Sequence, residues 1–340
     1  MDKSIKVISL FSGCGGADLG LIGGFNYLNK LYAKTNVSII HASDINQKAV
    51  NTYNENFDHF AICEDVLNLD FTGFEADIVM GGFPCQNFST INPTKNPEDK
   101  DNQLFWELAK VAEQVKPSVV IGENVKGFYT LKKQKYFLMV KSRLEEIGYT
   151  VFHKILNSAE YGIPQLRERL IIVAIRNDIN VKFQFPPSIF RIENNVKKYT
   201  PLSSVIDSLI PENPKYYFSK RAVEGVKRAK PNMKRALAQD LIKPCLTITS
   251  HLAKVSLNSR DPVLLVDPAK ELYRRFTPQE AARIQSFPEK FKFLGSEGDA
   301  YRQIGNAVPP VLMWHIAKSV IAQVFTQHTQ AGHTVHRVAE

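Results

Sequence analysis

Cys85 stands directly after a proline in the stretch MGGFPCQNFS, residues 80–89, at the end of an apolar run. Cysteines that serve packing alone sit mostly inside strands or helices as small hydrophobes. Here the chain turns in a loop of glycines and amides, the setting in which reactive groups are presented. A thiolate at this position could attack a substrate, provided backbone N–H groups or a cationic neighbour lower its pKa. The competing reading is a structural thiol in a turn, and that reading is preferred for Cys14, Cys63 and Cys245. Two further sites carry chemistry. Glu123, in GENV, ends an apolar run where a carboxylate is costly unless something uses it, and burial there would suit it to protonating a substrate heteroatom. Arg167 and Arg169, in QLRER, fall on one side of an extended segment and could orient an oxygen or a phosphate.

A glycine loop, LFSGCGG, follows the first apolar segment, and Gly13, Gly15 and Gly16 lie where open α/β sheets bind nucleotides. The second such segment ends in Asp44, 28 residues after Gly16, placed to accept hydrogen bonds from ribose hydroxyls. The third ends in Asp65, placed for an adenine amino group. Either acid alone could simply cap a helix; with the glycines they favour an adenosine-containing ligand. The dinucleotide pattern G-x-G-x-x-G is broken, because Asp18 occupies its sixth position. That disfavours a nicotinamide enzyme.

These residues need a sheet to bring them together. Residues 5–11, 37–44, 60–65, 76–82, 118–124, 149–156 and 169–176 read as short apolar strands. Helical patterns are expected over 18–32, 47–56, 103–115 and 133–147. Near-continuous apolar strands alternating with helices indicate a mostly parallel, doubly wound α/β sheet of Rossmann-like type, covered on both faces. After Arg176 the rhythm breaks, and prolines punctuate a segment without clean periodicity. A helix is expected from Thr277, as N-cap, through Gln285, with Pro278 in its first turn. Another runs from Pro309–Pro310 to about Val324. The organisation expected is a catalytic, cofactor-binding domain of residues 1–180 plus about 300–326. A smaller, irregular recognition domain covers about 181–299, including the 274–288 block, and a frayed tail covers 327–340.

Composition bounds the possibilities. The 340 residues are 44% hydrophobic and 23% charged, as in a globular protein. The apolar run near the N-terminus is too short for a signal peptide, and no stretch approaches a membrane span. A cytoplasmic location follows, with all four cysteines as free thiols. No CxxC pair suggests a metal site. The net charge of +9 is confined: residues 176–270 hold 17 Lys and Arg against 8 Asp and Glu, and the remainder is balanced. Eight of those bases fall in 215–235, Lys227, Arg228 and Lys230 among them, against the single acid Glu224. A charge excess held in one segment fits a polyanion-binding surface.

The blocks FSGCGG, GGFPCQNFS, ENV, QLRER, RRFTPQEAARIQSFP (274–288) and YRQIGNAVPP (301–310), in this order, resemble those of the cytosine-C5 DNA methyltransferases. The resemblance covers nearly the whole chain outside about 180–270, where that family carries its variable target-recognition region. It implies the S-adenosylmethionine-dependent methyltransferase fold and that cofactor. Phe11 would lie against the adenine, Asp44 would take the ribose hydroxyls and Asp65 the adenine amine. Gly13, Gly15, Gly16, Ile45 and Val66 would complete that half, and Leu104, Asn306 and Ala307 would line the methionine end. Cys85 would add to cytosine C6 and make C5 nucleophilic. Glu123 would hold N3 and the exocyclic amine, Arg169 the base oxygen, and Arg167 the loop. The target base would flip out of duplex DNA. Gln86, Ser89, Lys227, Arg228 and Lys230 would contact DNA, and residues 86–102 would form a lid.

Some positions depart from the family pattern. Aspartate stands at 44 where glutamate is usual, Ile45 replaces an aromatic, and KDNQLFW (100–106) lacks an arginine–glycine pair. The expectation is a monomeric prokaryotic modification methyltransferase, paired in function with a restriction endonuclease without a stable complex. The alternatives weighed are a transfer-RNA cytosine methyltransferase, against which the missing Cys-Phe-Thr triplet counts, and a non-catalytic DNA-binding protein on the same fold.

Overall fold

Seven apolar segments pair into one sheet: β1 (Ile5–Leu10), β2 (Val37–Asp44), β3 (Ile62–Cys63), β4 (Ile78–Gly81), β5 (Val119–Val125), β6 (Tyr149–Asn157) and β7 (Glu168–Arg176). This computed structural model describes residues 4–83, 104–130, 134–193, 196–207, 213–229, 238–254 and 263–326. The strand order is β3-β2-β1-β4-β5-β7-β6. The first five pair in parallel, whereas β7 runs antiparallel to both β5 and β6.

The apolar runs are continuous because both faces of the sheet are buried. Along β7, Ile171, Val173 and Ile175 join one core while Leu170, Ile172 and Ala174 join the other. This is the two-residue period of a strand covered twice. One face is covered by α1 (Gly16–Ile22), α2 (Gln47–Asn56), α8 (Glu297–Asn306) and α9 (Pro310–Val320). The other is covered by α3 (Leu104–Val115), α4 (Lys126–Thr130) and α5 (Lys135–Glu146). Two further helices lie among the described residues, α6 (Lys220–Ala229) and α7 (Pro278–Ile284).

The helix expected over 18–32 is cut short. It ends at Ile22 because Gly23 and Gly24 both take positive φ, and a Cβ on Gly23 would clash with the Ala33 carbonyl oxygen. Beyond them Phe25–Tyr27 and Lys30–Tyr32 form an antiparallel hairpin, turned by Leu28 and Asn29 at φ 44° and 58°. The α7 cap is as expected and more complete. Thr277 accepts from the Glu280 N–H while Glu280 reaches back to the Thr277 N–H, closing a capping box. Glu280 also forms a fully buried bidentate pair with Arg274, both contacts 2.7 Å. The stretch from Glu297 to Phe325 is long and apolar enough to cross a membrane, contrary to expectation. In the fold α9 packs along α1, and its Val311, Leu312, Ile316 and Val320 belong to the core. The tail from 327 lies outside the described residues.

Candidate active site

Parallel strands deliver their carboxyl ends to one edge of the sheet, and the chemistry-bearing residues gather there. Because β7 runs the other way, its first residues reach that edge. This is why the arginine block precedes its strand while the glycine loop, the acids and Glu123 follow or end theirs. A cleft of about 750 Å³ opens along the edge.

Phe11, Gly13, Asp44, Ile45, Asp65 and Val66 line one part of it, and Gly16, Leu104, Asn306 and Ala307 line another. Glu123, Arg167 and Arg169 lie in the same cleft. Gly15 is expected there but faces elsewhere, where a Cβ would strike the rings of Phe57 and Tyr53. Phe11 holds a left-handed backbone at φ 54°, costly for a bulky residue and typical of functional turns. Gly16 admits the α8–α9 connection, since a Cβ would come 2.6 Å from the Val308 carbonyl oxygen.

Asp44 is a loop-holding acid rather than a helix cap. Its Oδ2 accepts from the Gly13 N–H and its Oδ1 from the Asn46 N–H, both at 2.8 Å, while Asn46 caps α2. Burial raises its pKa above the ordinary carboxylate value. Asp65 does cap, accepting from the Leu67 N–H at the start of a single turn, Val66–Asn68. Both acids line the cleft and have acceptor capacity to spare, since a carboxylate offers about four acceptor sites.

At the other end Arg169 Nε lies 3.0 Å from Glu123 Oε1, with both side chains largely buried. The pairing follows from register: Arg169 is opposite Val125 and Ile171 opposite Glu123, so the two side chains are diagonal neighbours on one face. Arg167 plays another part. It is 1% exposed and donates to the carbonyl oxygens of Ile248, Gly305 and Ala307 at 3.0–3.1 Å. Burial and the neighbouring Arg169 lower its proton affinity, but a guanidinium stays charged in proteins. It is therefore a brace under the cleft more than a group presented to a substrate.

Sequence reasoning left three residues without a role, and two of them, Gln285 and Gln165, complete that brace. Gln285 donates to the carbonyl oxygens of Ile304 and Ala307, and its own oxygen accepts from Gln165. Gln165 also accepts from the Ile248 N–H. Gln285 and Arg167 thus satisfy the open carbonyls at the end of α8 and fix Asn306 and Ala307 against the cleft. Asn124, 1% exposed, donates to the carbonyl oxygen of Phe83 at 3.2 Å. The available signal was polarity alone, an amide inside otherwise apolar surroundings.

Cys85, Gln86, Ser89, Lys230 and the 86–102 lid lie outside the described residues. Cys85 is the second residue after Phe83 in sequence. Cys14 is buried beneath the loop, with its pKa pushed up to about 12 by burial, and Cys245 is likewise raised. Both suit a structural part. Cys63 does not pack as expected: it is exposed on the short edge strand β3, whose two residues leave it uncovered. Lys227 and Arg228 lie on α6, with Arg228 exposed.

A glycine loop, two acids at successive strand ends and a buried Glu–Arg pair, in this strand order, define a methyltransferase-type α/β fold. The profile of the C-5 cytosine-specific DNA methylases matches residues 5–322. The chain belongs to that family, and it is a DNA (cytosine-5) methyltransferase. It is 31% identical over 341 residues to the type II methyltransferase M.Eco47II of Escherichia coli, covering 93% of this chain and 78% of that one. It is 30% identical over 344 residues to M.FnuDI of Fusobacterium nucleatum, covering 93% and 94%. In fold it is similar to the S. pombe Dnmt2 methyltransferase, with a TM-score of 0.74 at 22% identity over 94% of this chain and 99% of that one.

Proposed function

We propose that the chain takes a methyl group from S-adenosylmethionine and places it on C5 of a cytosine turned out of duplex DNA, with Cys85 as covalent catalyst. One observation carries this reading. A single cleft joins two acids and apolar walls at one end to the Glu123–Arg169 pair at the other, beside the strand end that leads to Cys85.

The residues present fit the cofactor. Phe11, Ile45 and Val66 offer apolar surface for adenine, Asp44 and Asp65 offer acceptors for the ribose hydroxyls and the adenine amine, and Leu104, Asn306 and Ala307 flank the methionine end. When bound, the cofactor supplies an electrophilic methyl group. The remaining work belongs to the chain. The Cys85 thiolate adds to C6 of the cytosine, breaking the ring's aromaticity and giving C5 enamine character. Glu123 holds N3 and the exocyclic amine, and Arg169 holds the base oxygen while keeping Glu123 in place. After transfer, atom balance requires the C5 proton to leave and the C6–S bond to break, which restores the ring. Both faces of the base must be reached, and stacking forbids that inside a duplex.

The basic 181–299 region serves as the recognition module. Within it α6 buries Val223 and exposes Lys220, Arg221 and Arg228, a cationic face for phosphates. By analogy with the curated type II relatives, the enzyme protects sites from a partner restriction endonuclease in a prokaryotic cytoplasm.

The test is transfer of labelled methyl to duplex DNA and to transfer RNA, with a 5-fluorocytosine duplex as a trap, because fluorine at C5 cannot leave as a proton does. Duplex DNA should be labelled, and the trap should give a denaturant-stable adduct that Cys85→Ala abolishes while cofactor affinity stays within a few-fold. Turnover by Cys85→Ala would overturn covalent catalysis, and labelling confined to transfer RNA would overturn the DNA substrate.

A further inference from the structure

Asp18, which breaks the dinucleotide pattern, is an acid that the reaction does not use. It sits in the first turn of α1, 0% exposed, and neither carboxylate oxygen makes a hydrogen bond of full geometry; the Ser9 and Tyr53 hydroxyls only approach it, and their effect is outweighed by burial. Its nearest polar neighbours are the hydroxyls of Ser9 on β1 and Tyr53 on α2. Tyr53 is engaged at 2.7 Å with His59 Nε2, and Ser9 accepts from Ser12 Oγ, which leaves its own O–H toward the carboxylate; both groups are neutral and supply no counter-charge. Ser9, Ser12, Gly16 and Ala17 all line the cleft, so the carboxylate lies directly behind the cofactor loop.

Among the described residues no cation pairs with it. On α8, Arg302 is paired with Asp299. On α9, which packs along α1, Lys318 lies over Trp314 and His315 packs against Tyr161. The loop contributes Cys14, whose thiol stays neutral, and on its far side Asp44, itself an acid. A buried carboxylate without a counter-ion is costly, and neutral hydroxyls and the first turn of a helix offset only part of that cost.

We propose that Asp18 is a positioning residue that selects the cofactor by charge: its buried carboxylate favours the cationic sulfonium of S-adenosylmethionine over the neutral thioether left after transfer. The counter-ion missing from the fold is the positive charge the cofactor brings. Once the methyl group has gone that charge is gone, and product is held less tightly. The inference rests on the cleft being the S-adenosylmethionine site.

The test is calorimetric binding, without DNA, of three ligands to the full chain and to Asp18→Asn. They are S-adenosylmethionine, S-adenosylhomocysteine, and sinefungin, in which a carbon bearing an ammonium group replaces the sulfonium. Asp18→Asn should weaken the two cationic ligands by about tenfold and leave the neutral one within about twofold. In the unmodified protein the preference for the cationic ligands should shrink between about pH 7.5 and about pH 5, as Asp18 takes up a proton, and Asp18→Asn should lose that dependence. His59 and Asp44 remain in the variant, so a dependence that survives there belongs to them and overturns the assignment. Equal weakening of all three ligands, or of none, overturns it too. Failure of the unmodified protein to bind any of the three overturns both the assignment and the cofactor reading. Should Asp18→Asn not fold, Asp18→Ser and the pH series on the unmodified protein decide the matter.

Discussion

The side-chain amide of Asn124 bonds the carbonyl oxygen of Phe83 at 3.2 Å, so the end of β5 holds the end of β4 at the point where the chain leaves for Cys85. The Asn124 oxygen is occupied as well, accepting from the Val125 N–H at 2.8 Å. Asn124→Ala should cost about 1–2 kcal/mol of stability, because the Phe83 carbonyl is left without its partner. It should also slow methyl transfer by about tenfold or more at unchanged cofactor affinity, since misplacing a catalytic group by an ångström is expensive. Single-turnover rates beside calorimetric binding separate the two effects. An unchanged rate would mean that Phe83 is held by something else.

Glu123 and Arg169 should behave as one unit. Glu123→Gln keeps the shape but removes the charge that Arg169 answers, so the rate should fall by at least about 10²-fold, within the range for acid–base and electrostatic groups. Removing Arg169 on top of that should cost less than it does alone, and a double-mutant cycle measures the coupling. Additive losses would show that the 3.0 Å contact has no part in the reaction.

Arg167 should matter more to folding than to chemistry. Its guanidinium is fully buried on three carbonyl oxygens, and truncation to Met takes the donor from Ile248 and Gly305 while Ala307 keeps only Gln285. Losses of about 2–5 kcal/mol are expected, from two buried carbonyls left unsatisfied at about 1–3 kcal/mol each. Arg167→Lys should recover little, because an ammonium cannot span acceptors placed for a planar fork. Urea unfolding of the three proteins reads this directly.

Asp18 makes the cofactor-free protein less stable at neutral pH. Burial raises its pKa from 3.8 to about 6, so the folded state binds the proton more tightly than the unfolded state does. Stability contributed by the protonated form is complete below about pH 4 and falls as pH rises to about 6, after which the penalty is constant. Asp18→Asn should therefore gain about 2–3 kcal/mol at pH 7 and flatten that part of the stability profile. Denaturant midpoints measured across the window check the sign. A variant less stable than the parent at pH 7 would contradict it.

All seven strands of the sheet were legible; the central ones stood out because burial on both faces writes an unbroken apolar run, whereas the edge strand β3 is exposed at both its residues. The antiparallel insertion of β7 is a matter of tertiary pairing that such a run does not encode. The misread helix over 18–32 shows where periodicity fails. Phe25, Leu28, Leu31 and Tyr32 fall at nearly helical spacing, and two glycines followed by a positive-φ turn convert them into a hairpin whose Phe25 and Tyr32 rings stack at 5.2 Å. The acids and arginines of the site stood out by charge in apolar settings. Asn124, Gln165 and Gln285 did not, since their partners are carbonyls and amides 19 to 120 residues away.

The brace around Arg167 limits how sequence specificity can be exchanged between relatives. Cys245–Leu246 pairs in parallel with Gln165–Leu166, and Gly305 lies so close to Thr249 and Ser250 that a single methyl group there would collide with their backbone. A chimaera that swaps the basic segment at 181 and 299 would cut through this joint. One that grafts foreign sequence only up to Pro244 inherits the joint intact.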